Sequence, residues 1–395
     1  MTNRQLFLSH VAQTSDAPIG LEIVKAEGIK MWDVNGREYI DLISGFSVCN
    51  IGHSNRQVIE AVKEQVEQYM HLIVYGEFVE APQVRYAKLL TDHLPGTLNS
   101  VYFTNSGAEA TEGAMKLAKR VTGRSKIVAC HHAYHGSTQG ALSVMGSEYW
   151  RNAFRPLLPG IDHYDYGSPA LPEYIDADTA CVIVETVQAE SGVIRPAPGW
   201  LQGIRDRCNE QGALLIFDEV QAGFGRTGSL WAFEQYGVIP DILLLGKALG
   251  GGMPLGAFIA GVDLMSHLTH NPVLGHITTF GGHPVSCAAG MAAMKVLLES
   301  GAIEEVRKKE QLFLERLSNP KIKGLRSAGL WLAVEFDSFA TCKQVIDKCI
   351  EKGVVSDWFL FAPHCMRIAP PLITTFAEIE SICSTIVDSI NEVLP

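Results

Sequence analysis

The stretch "ALLIFDEVQAGFGRTGSLWAFEQYGVIPDILLLGKALGGG", residues 213–252, decides the fold of this chain. It contains two short apolar runs, and each leads to a charged residue: Asp218 after the first and Lys247 after the second. Runs that are apolar throughout are typical of parallel strands covered on both faces. Ligands in open α/β sheets bind at the carboxyl ends of such strands. The stretch therefore predicts an α/β fold with a binding site near Asp218 and Lys247.

The glycines of the same stretch match G-x-G-x-x-G formally, at Gly223, Gly225 and Gly228. A dinucleotide fingerprint opens a helix whose N-terminus faces the pyrophosphate. Here Asp218 and Glu219 would stand beside that anionic group, and the segment after the glycines is short for a crossover helix. A P-loop also fails, because Asp241 occupies the position of its first glycine. We therefore expect neither nucleotide site.

Outside this stretch, apolar runs alternate with helical patterns along the middle of the chain. The runs are "SVYFT" (100–104), "KIVAC" (126–130), "CVIVETV" (181–187) and "AFIAG" (257–261). Alternation of this kind predicts a mostly parallel central sheet flanked by helices.

The two ends of the chain have a different pattern. A long helical pattern covers residues 291–317, and shorter strands and a closing helix follow it. We predict a large domain over residues 46–290 and a smaller α+β domain over 291–395. The N-terminal segment 1–45, with a hairpin turning at Asn35 and Gly36, is expected to pack with the small domain.

Composition narrows the class of function. The chain has 395 residues, and 47% of them are hydrophobic, which excludes a disordered protein. Its net charge of -11 excludes a general nucleic-acid binder and favours small-molecule partners. The opening lacks a long apolar run, so we expect neither a signal peptide nor a membrane anchor. The nine cysteines form no C-x-x-C pair, which indicates reduced thiols in a cytoplasmic protein.

Asp218 and Lys247 at neighbouring strand ends have two explanations. They could form a structural ion pair. Alternatively, a desolvated lysine has a lowered pKa and forms a Schiff base with an aldehyde. An aspartate beside a pyridine nitrogen keeps that nitrogen protonated and makes the ring an electron sink. The second explanation describes a site for pyridoxal 5'-phosphate (PLP).

A PLP site makes further demands, and the sequence offers candidates for each. The phosphate needs the N-terminus of a helix, and Ser106, Gly107 and Ala108 lead into a helical pattern after an apolar run. The ring needs an apolar floor, for which Val220 is placed, while Gln221 can bond the phenolic oxygen. Tyr134 is the candidate to stack on the other face of the ring.

A histidine cluster also suggests a metal site, since His131, His132 and His135 lie beside Cys130. Adjacent His131 and His132 point to opposite faces of an extended chain, and no carboxylate follows at ligand spacing. We predict no metal.

Taken together, the motifs resemble those of the class III (subgroup II) PLP-dependent aminotransferases, which include acetylornithine, ornithine and 4-aminobutyrate transaminases. Stretch 214–261 carries the resemblance most strongly, and "NSGAEATEGAMKLAKR", "VETVQAESG", "TTFGGHP" and "MRIAPPL" extend it over nearly the whole chain. The resemblance implies the fold type I architecture, a ping-pong mechanism through a Schiff base at Lys247, and a homodimer with shared active sites. It also implies that Thr279 reaches the partner's cofactor phosphate and that "GFGRTG" is a structural turn.

The resemblance also bears on the substrates. It implies that Glu190 pairs with Arg367 as a switch, and that opening the pair lets Arg367 bind the carboxylate of 2-oxoglutarate. Family members of the arginine pathway carry an arginine where this chain has Ser137, and ornithine enzymes carry a tyrosine where it has Phe46.

These departures favour an ω-amino acid or amine donor, with Phe46, Tyr75 and Trp358 as apolar walls of the substrate site. A PLP-dependent racemase, decarboxylase or aminomutase of the same fold remains an alternative. An NAD-dependent oxidoreductase and a non-catalytic binding module are more remote.

Overall fold

The computed structural model describes residues 1–394, which form three sheets and their flanking helices. The strands are β1 Ile23–Glu27, β2 Lys30–Asp33, β3 Glu38–Asp41, β4 Ser100–Thr104, β5 Lys126–Cys130, β6 Ile161–Tyr164, β7 Thr179–Glu185, β8 Leu214–Asp218, β9 Ile242–Leu245, β10 Gly256–Ala260, β11 Gly324–Ser327, β12 Leu332–Glu335, β13 Val354–Val355 and β14 Cys365–Ile368. The helices are α1 Asn3–His10, α2 Ser44–Ser47, α3 Arg56–Gln68, α4 Ala81–Asp92, α5 Gly107–Thr122, α6 Gln139–Val144, α7 Glu148–Arg151, α8 Trp200–Gln211, α9 Val262–Met265, α10 Pro284–Glu299, α11 Ala302–Arg316, α12 Phe339–Glu351 and α13 Phe376–Val393.

The central sheet has seven strands in the order β4-β10-β9-β8-β7-β5-β6. Strands β5 to β9 pair in parallel, and β10 is antiparallel to both of its neighbours. The mostly parallel sheet predicted from sequence is confirmed. Strand β6, "IDHY", was not predicted, because it lies at the sheet edge and lacks the uniformly apolar composition of the other strands.

Apolar side chains of this sheet pack on both of its faces. In β8, Leu215 and Phe217 belong to one hydrophobic cluster, whereas Ile216 belongs to a second cluster with the buried residues of α5. Successive side chains of a strand point to opposite faces, so both faces of the sheet are covered. The close approach of α5 depends on its small residues, since a Cβ atom at Gly113 would overlap the ring of Phe258.

Two smaller sheets are formed by the ends of the chain, and one of them contains strands from both ends. One has the order β1-β2-β3-β13 and so combines the N-terminal strands with one from the C-terminal region; the other has the order β11-β12-β14. Strands β2 and β3 form the predicted hairpin, and Gly36 in its turn has φ +79°. The N-terminal segment therefore pairs with the C-terminal region through β3 and β13.

The helical pattern of residues 291–317 is a correction to the sequence prediction. It belongs to two helices, since α10 begins earlier, at Pro284, and the chain turns at Gly301, φ +69°, before α11. Glycine adopts this left-handed conformation at little cost, which is why the chain can turn there. The boundary predicted after residue 290 falls inside α10. In residues 1–394 no single helix is long and apolar enough to cross a membrane, and α10 and α11 reach that limit only together, bent by 68°.

The "GFGRTG" segment is a turn whose arginine, Arg226, forms hydrogen bonds with residues from distant parts of the chain. The guanidinium of Arg226 is fully buried and donates to Asn50 Oδ1 at 2.6 Å, Leu330 O at 2.7 Å and Pro370 O at 2.6 Å. Gly225 and Gly228 both have positive φ, +83° and +93°. The glycines therefore shape a structural turn, as the resemblance implied.

Candidate active site

A cavity of about 440 Å³ opens at the carboxyl edge of the central sheet. It brings together eight of the predicted site residues: Ser106, Gly107, Ala108, Tyr134, Asp218, Val220, Gln221 and Lys247. His135 and Glu185, which were not predicted, line the same cavity. The convergence follows from the parallel pairing of β7, β8 and β9, whose carboxyl ends share one edge.

Asp218 is the last residue of β8 and is held by two donors. Its Oδ1 accepts the N–H of Val220 at 2.9 Å, and its Oδ2 accepts Nδ1–H of His135 at 2.7 Å. The His135 side chain is fully buried, so this bond lies out of contact with water. His135 is therefore a positioning residue for Asp218 that the sequence did not reveal.

Lys247 follows β9 and has φ +49°, a conformation that few residues other than glycine adopt. Its Nζ donates to Gln221 Oε1 at 2.8 Å. Burial lowers the pKa of Lys247, although the charges of Glu190 and Asp218 oppose the shift. Asp218 is paired with His135 instead of Lys247. The structural ion pair between Asp218 and Lys247 that the sequence suggested is therefore absent among residues 1–394.

The N-terminus of α5 faces the cavity. Ser106 is its N-cap, and its hydroxyl accepts the N–H of Glu109 at 3.2 Å. The amides of Gly107 and Ala108 precede the first intrahelical bond, from Ala110 N to Ser106 O, and lie on the cavity wall. Backbone amides and the helix dipole together suit an anionic group such as a phosphate.

Tyr134 lies on the cavity wall in the loop between β5 and α6. Its hydroxyl lies 3.2 Å from Ser137 Oγ, near the surface. Val220 forms part of the floor, where a Cβ atom on Gly107 would come within 3.0 Å of its methyl groups. His131 and His132 are exposed and do not line this cavity.

PLP fits this cavity on the evidence of unpartnered polar atoms. Gln221 Nε2, His135 Nε2 and Glu185 Oε2 are buried without a hydrogen-bond partner, an arrangement that usually marks a missing ligand or water. Burial and the neighbouring Asp218 charge raise the pKa of Glu185 well above its ordinary value. The helix N-terminus, the buried lysine and the carboxylate match the phosphate, the aldehyde and the ring nitrogen of PLP.

Beyond the cavity wall, Glu190 and Arg367 form a buried ion pair. Arg367 Nη1 donates to Glu190 Oε1 at 3.1 Å, and Nη2 donates to Oε2 at 2.9 Å. Burial alone would raise the pKa of Glu190, but Arg367 and the N–H of Leu360 bring it below its ordinary value. Both groups are therefore charged and paired, and the guanidinium edge that would bind a carboxylate is occupied.

Asp357 makes a second ion pair with the same guanidinium, which the sequence did not predict. Arg367 Nε donates to Asp357 Oδ1 at 2.9 Å. Burial raises the pKa of Asp357 to about 6, against the opposing effect of Arg367. Arg367 thus has two carboxylate partners.

The remaining predicted residues lie outside the cavity wall. The ring of Phe46 stands 5.1 Å from the guanidinium of Arg367, and the ring of Trp358 packs edge-on against Phe339. Tyr75 is half-buried in the loop between α3 and α4, and Thr279 is exposed before α10. The structure does not bring Tyr75 or Thr279 to the cavity of their own chain.

Comparison with known proteins gives a consistent set of relatives. Residues 11–390 match the protein family described as Aminotransferase class-III. The chain is 40% identical to the acetylornithine aminotransferase of Methanopyrus kandleri over 387 residues, which covers 97% of each chain.

Among solved structures, the ornithine aminotransferase of Toxoplasma gondii, which contains PLP at partial occupancy, superimposes with a TM-score of 0.92. Its sequence identity is 33%, and the match covers 98% of this chain and 93% of that one. An (S)-enantioselective omega-transaminase of Thermomicrobium roseum gives a TM-score of 0.91 at 29% identity, over 99% and 98% of the two chains.

Proposed function

The chain belongs to the class-III aminotransferases, which are PLP-dependent enzymes of fold type I, and we propose that it transfers an amino group from an ω-amino acid or amine to 2-oxoglutarate. The observation that carries the donor proposal is the cavity mouth, where Ser137 stands and no arginine of residues 1–394 lines the wall. Any donor carboxylate that must be held there would lack a cationic partner, so within the proposed donor class the observation favours amines over amino acids. The omega-transaminase among the structural neighbours supports the same donor class.

The residues that would hold the cofactor follow from the cavity. Gly107 and Ala108 amides would bind its phosphate, Asp218 its ring nitrogen and Gln221 its phenolic oxygen, while Val220 and Tyr134 would enclose the ring. When bound, PLP supplies the aldehyde that carries the amino group and a ring that stabilises negative charge on the substrate carbon.

Lys247 is the proton carrier of the site. Because its pKa is lowered, a larger fraction of its amine is neutral at a given pH than in a free lysine. Nζ can then accept a proton from the substrate carbon and return it, and the bond to Gln221 orients the amine for this transfer. His135 keeps Asp218 oriented and hydrogen-bonded during the same step.

The Glu190–Arg367 pair explains how one site would serve two substrates. With the pair closed, the site offers no free cation and suits an amine donor. When 2-oxoglutarate enters, its carboxylate displaces Glu190 and takes the Nη1–Nη2 edge of Arg367. The bidentate geometry of the pair supports this exchange, because a second carboxylate can replace the first on the same two donors.

We also propose that the enzyme is a homodimer whose subunits share their active sites. Apolar side chains are exposed on two segments that meet where the rings of His71 and Phe280 lie 4.8 Å apart. Phe78 is 51% and Val79 91% exposed on one segment, and Ile277 is 52% and Phe280 53% exposed on the other. An exposed apolar patch of this kind is typical of an interface. Thr279 lies within this patch, so dimerisation would bring it towards the partner's cofactor phosphate.

The test is a panel of ω-amino acids, diamines and α-amino acids, each assayed with 2-oxoglutarate. We expect the ω-amines to be the best donors, and 2-oxoglutarate to be a better acceptor than pyruvate. A preference for donors that react at an α-amine would contradict the donor proposal. Turnover of a donor without any oxo acid would instead indicate a racemase, decarboxylase or aminomutase.

A further inference from the structure

The guanidinium of Arg367 has two carboxylate partners on different edges. Glu190 occupies the Nη1–Nη2 edge, at 3.1 and 2.9 Å, whereas Asp357 accepts from Nε at 2.9 Å. A substrate carboxylate that binds bidentately to Nη1 and Nη2 competes with Glu190 and leaves the Nε bond intact. The two carboxylates therefore have different consequences for substrate binding.

The backbone fixes Asp357 to Arg367. The N–H of Arg367 donates to the carbonyl of Asp357 at 2.8 Å, and the next residues inward, Trp358 and Met366, form an antiparallel bridge. The partners of this ion pair thus face each other across paired segments of one domain. Asp357 cannot leave Arg367 by side-chain rotation alone without losing a buried charged bond, because the guanidinium is only 1% exposed.

Glu190 is attached differently. It comes from the segment after β7, and its side chain accepts the N–H of Leu360 at 2.9 Å in addition to the Arg367 donors. Its backbone is held separately, by the N–H of Phe361 at 3.0 Å. Glu190 is as buried as Asp357, so its side chain leaves only when an incoming carboxylate takes its place on Nη1 and Nη2. That exchange can proceed by rotation of the Glu190 side chain without moving the backbone, whereas the bidentate substrate does not compete for Nε.

Other contacts hold the plane of the guanidinium in the same orientation. The ring centroid of Phe359 lies 4.2 Å from its central carbon, and the carbonyl of Trp358 accepts from Nη2 at 3.3 Å. With Asp357 on Nε, the guanidinium keeps its orientation after Glu190 has left.

We propose that Asp357 is a positioning residue for the acceptor half-reaction: it holds Arg367 in the orientation that binds the carboxylate of 2-oxoglutarate once Glu190 is displaced. This inference rests on the proposed use of Arg367 as the acceptor site. It assigns the two carboxylates separate roles, with Glu190 exchangeable and Asp357 fixed. Asp357 should therefore matter for the acceptor and little for the amine donor, which does not use Arg367.

The test compares Asp357→Ala, Asp357→Asn and Arg367→Ala as purified holoenzymes. Each half-reaction is followed separately in single turnovers, and binding of glutarate, an unreactive dicarboxylate, is measured by calorimetry. Glu335→Gln is the matched control, because Glu335 is a carboxylate of the same domain that pairs with Arg326 outside the cavity.

We expect Asp357→Ala to weaken glutarate binding and raise the KM for 2-oxoglutarate about tenfold or more, with the donor half-reaction changed less than about twofold. Asp357→Asn should recover most of this loss, since its amide oxygen can still accept from Nε. Equal damage to both half-reactions, no effect on glutarate, or an Asn variant as weak as Ala would overturn the assignment. If Arg367→Ala leaves 2-oxoglutarate unaffected, the proposed acceptor site itself fails; if only Asp357→Ala is silent, the acceptor site stands and the role of Asp357 falls.

Discussion

Replacing Glu190 by Gln tests the exchange of carboxylates on Arg367 directly. The substitution keeps the shape of the side chain but removes its charge. The glutamine oxygen can accept one guanidinium N–H, whereas its amide would face the second donor, so one of the two bonds at 3.1 and 2.9 Å is lost.

The magnitude follows from the remaining partners. A buried hydrogen bond to a charged group contributes about 1.5–3 kcal/mol. Full loss of a buried ion pair costs more, about 3–5 kcal/mol, but Asp357 stays on Nε and limits the uncompensated charge. We therefore expect the substitution to cost about 1.5–3 kcal/mol, the range for one hydrogen bond to a charged group. Because 2-oxoglutarate no longer has to displace a charged competitor, its KM should fall about tenfold or more.

The donor half-reaction gives the opposite expectation. A cationic amine loses an attracting carboxylate near the site, so its kcat/KM should not rise in the Gln variant. Both half-reactions are measured in single turnovers from the change in cofactor absorbance. Glu380→Gln is the control, because Glu380 makes a bidentate pair with Arg316 at 2.7 and 2.8 Å on the surface. A raised KM for 2-oxoglutarate, or equal changes in the two half-reactions, would refute the exchange.

Three other predictions concern the cofactor site and stability. Lys247→Ala should remove the cofactor adduct that borohydride traps in the wild type; mass spectrometry of the reduced protein checks this, and an adduct retained by the variant would contradict the assignment. His135→Leu leaves Asp218 without its 2.7 Å donor, so the variant should bind PLP about tenfold more weakly. Equilibrium dialysis measures the affinity, and an unchanged value would argue against the positioning role of His135. The hydrogen bond to Asp41 raises the pKa of His53 from 6.5 to about 10, so the stabilisation is complete below pH 6.5 and is lost as pH rises through about 10. The free energy of unfolding in urea should fall by about 1.5–3 kcal/mol over that range; a His53→Gln variant with the same pH dependence would exclude His53 as the cause.

The positions of Asp218 and Lys247 could be predicted from sequence because regular structure places them. Asp218 ends one apolar run and Lys247 follows the next, and parallel pairing of β8 and β9 carries both to one edge of the sheet. The same reasoning placed Ser106 at a helix start, because N-cap residues and small side chains have a local signature. These inferences use only the hydrophobic periodicity and the ends of strands and helices. Both can be recognised within a short segment of sequence.

His135 and Asp357 could not be found in this way. His135 lies in an irregular loop, and its orientation depends on the path of the following residue, Gly136, whose φ is +125°. The cluster of histidines around it instead suggested a metal site. Asp357 is positioned by an isolated β-bridge between Trp358 and Met366. No hydrophobic periodicity in the sequence predicts this bridge. In both cases the decisive contact joins residues far apart along the chain or across a loop, and only the folded backbone sets it.

The break between α10 and α11 has a similar cause. The apolar pattern continues through residues 291–317, so it favoured one helix, but Gly301 adopts φ +69° and ends that continuity. A single glycine permits the turn without requiring it. Packing of both helices against the rest of the fold selects the bent arrangement.

The charges around the site indicate how the proposed exchange of Glu190 would select between substrates. Glu190 and Asp357 both face Arg367, so the closed cluster carries an excess negative charge and disfavours an anionic substrate. In the proposed exchange, an acceptor carboxylate gains its place only by displacing Glu190, and the orientation of Arg367 must survive that displacement. If Asp357 were absent, the same event would leave a buried guanidinium oriented by one carbonyl and two aromatic rings, those of Phe46 and Phe359, without a charged partner. Because these groups are buried, salt should screen the discrimination weakly, and the preference for 2-oxoglutarate should change little as ionic strength rises.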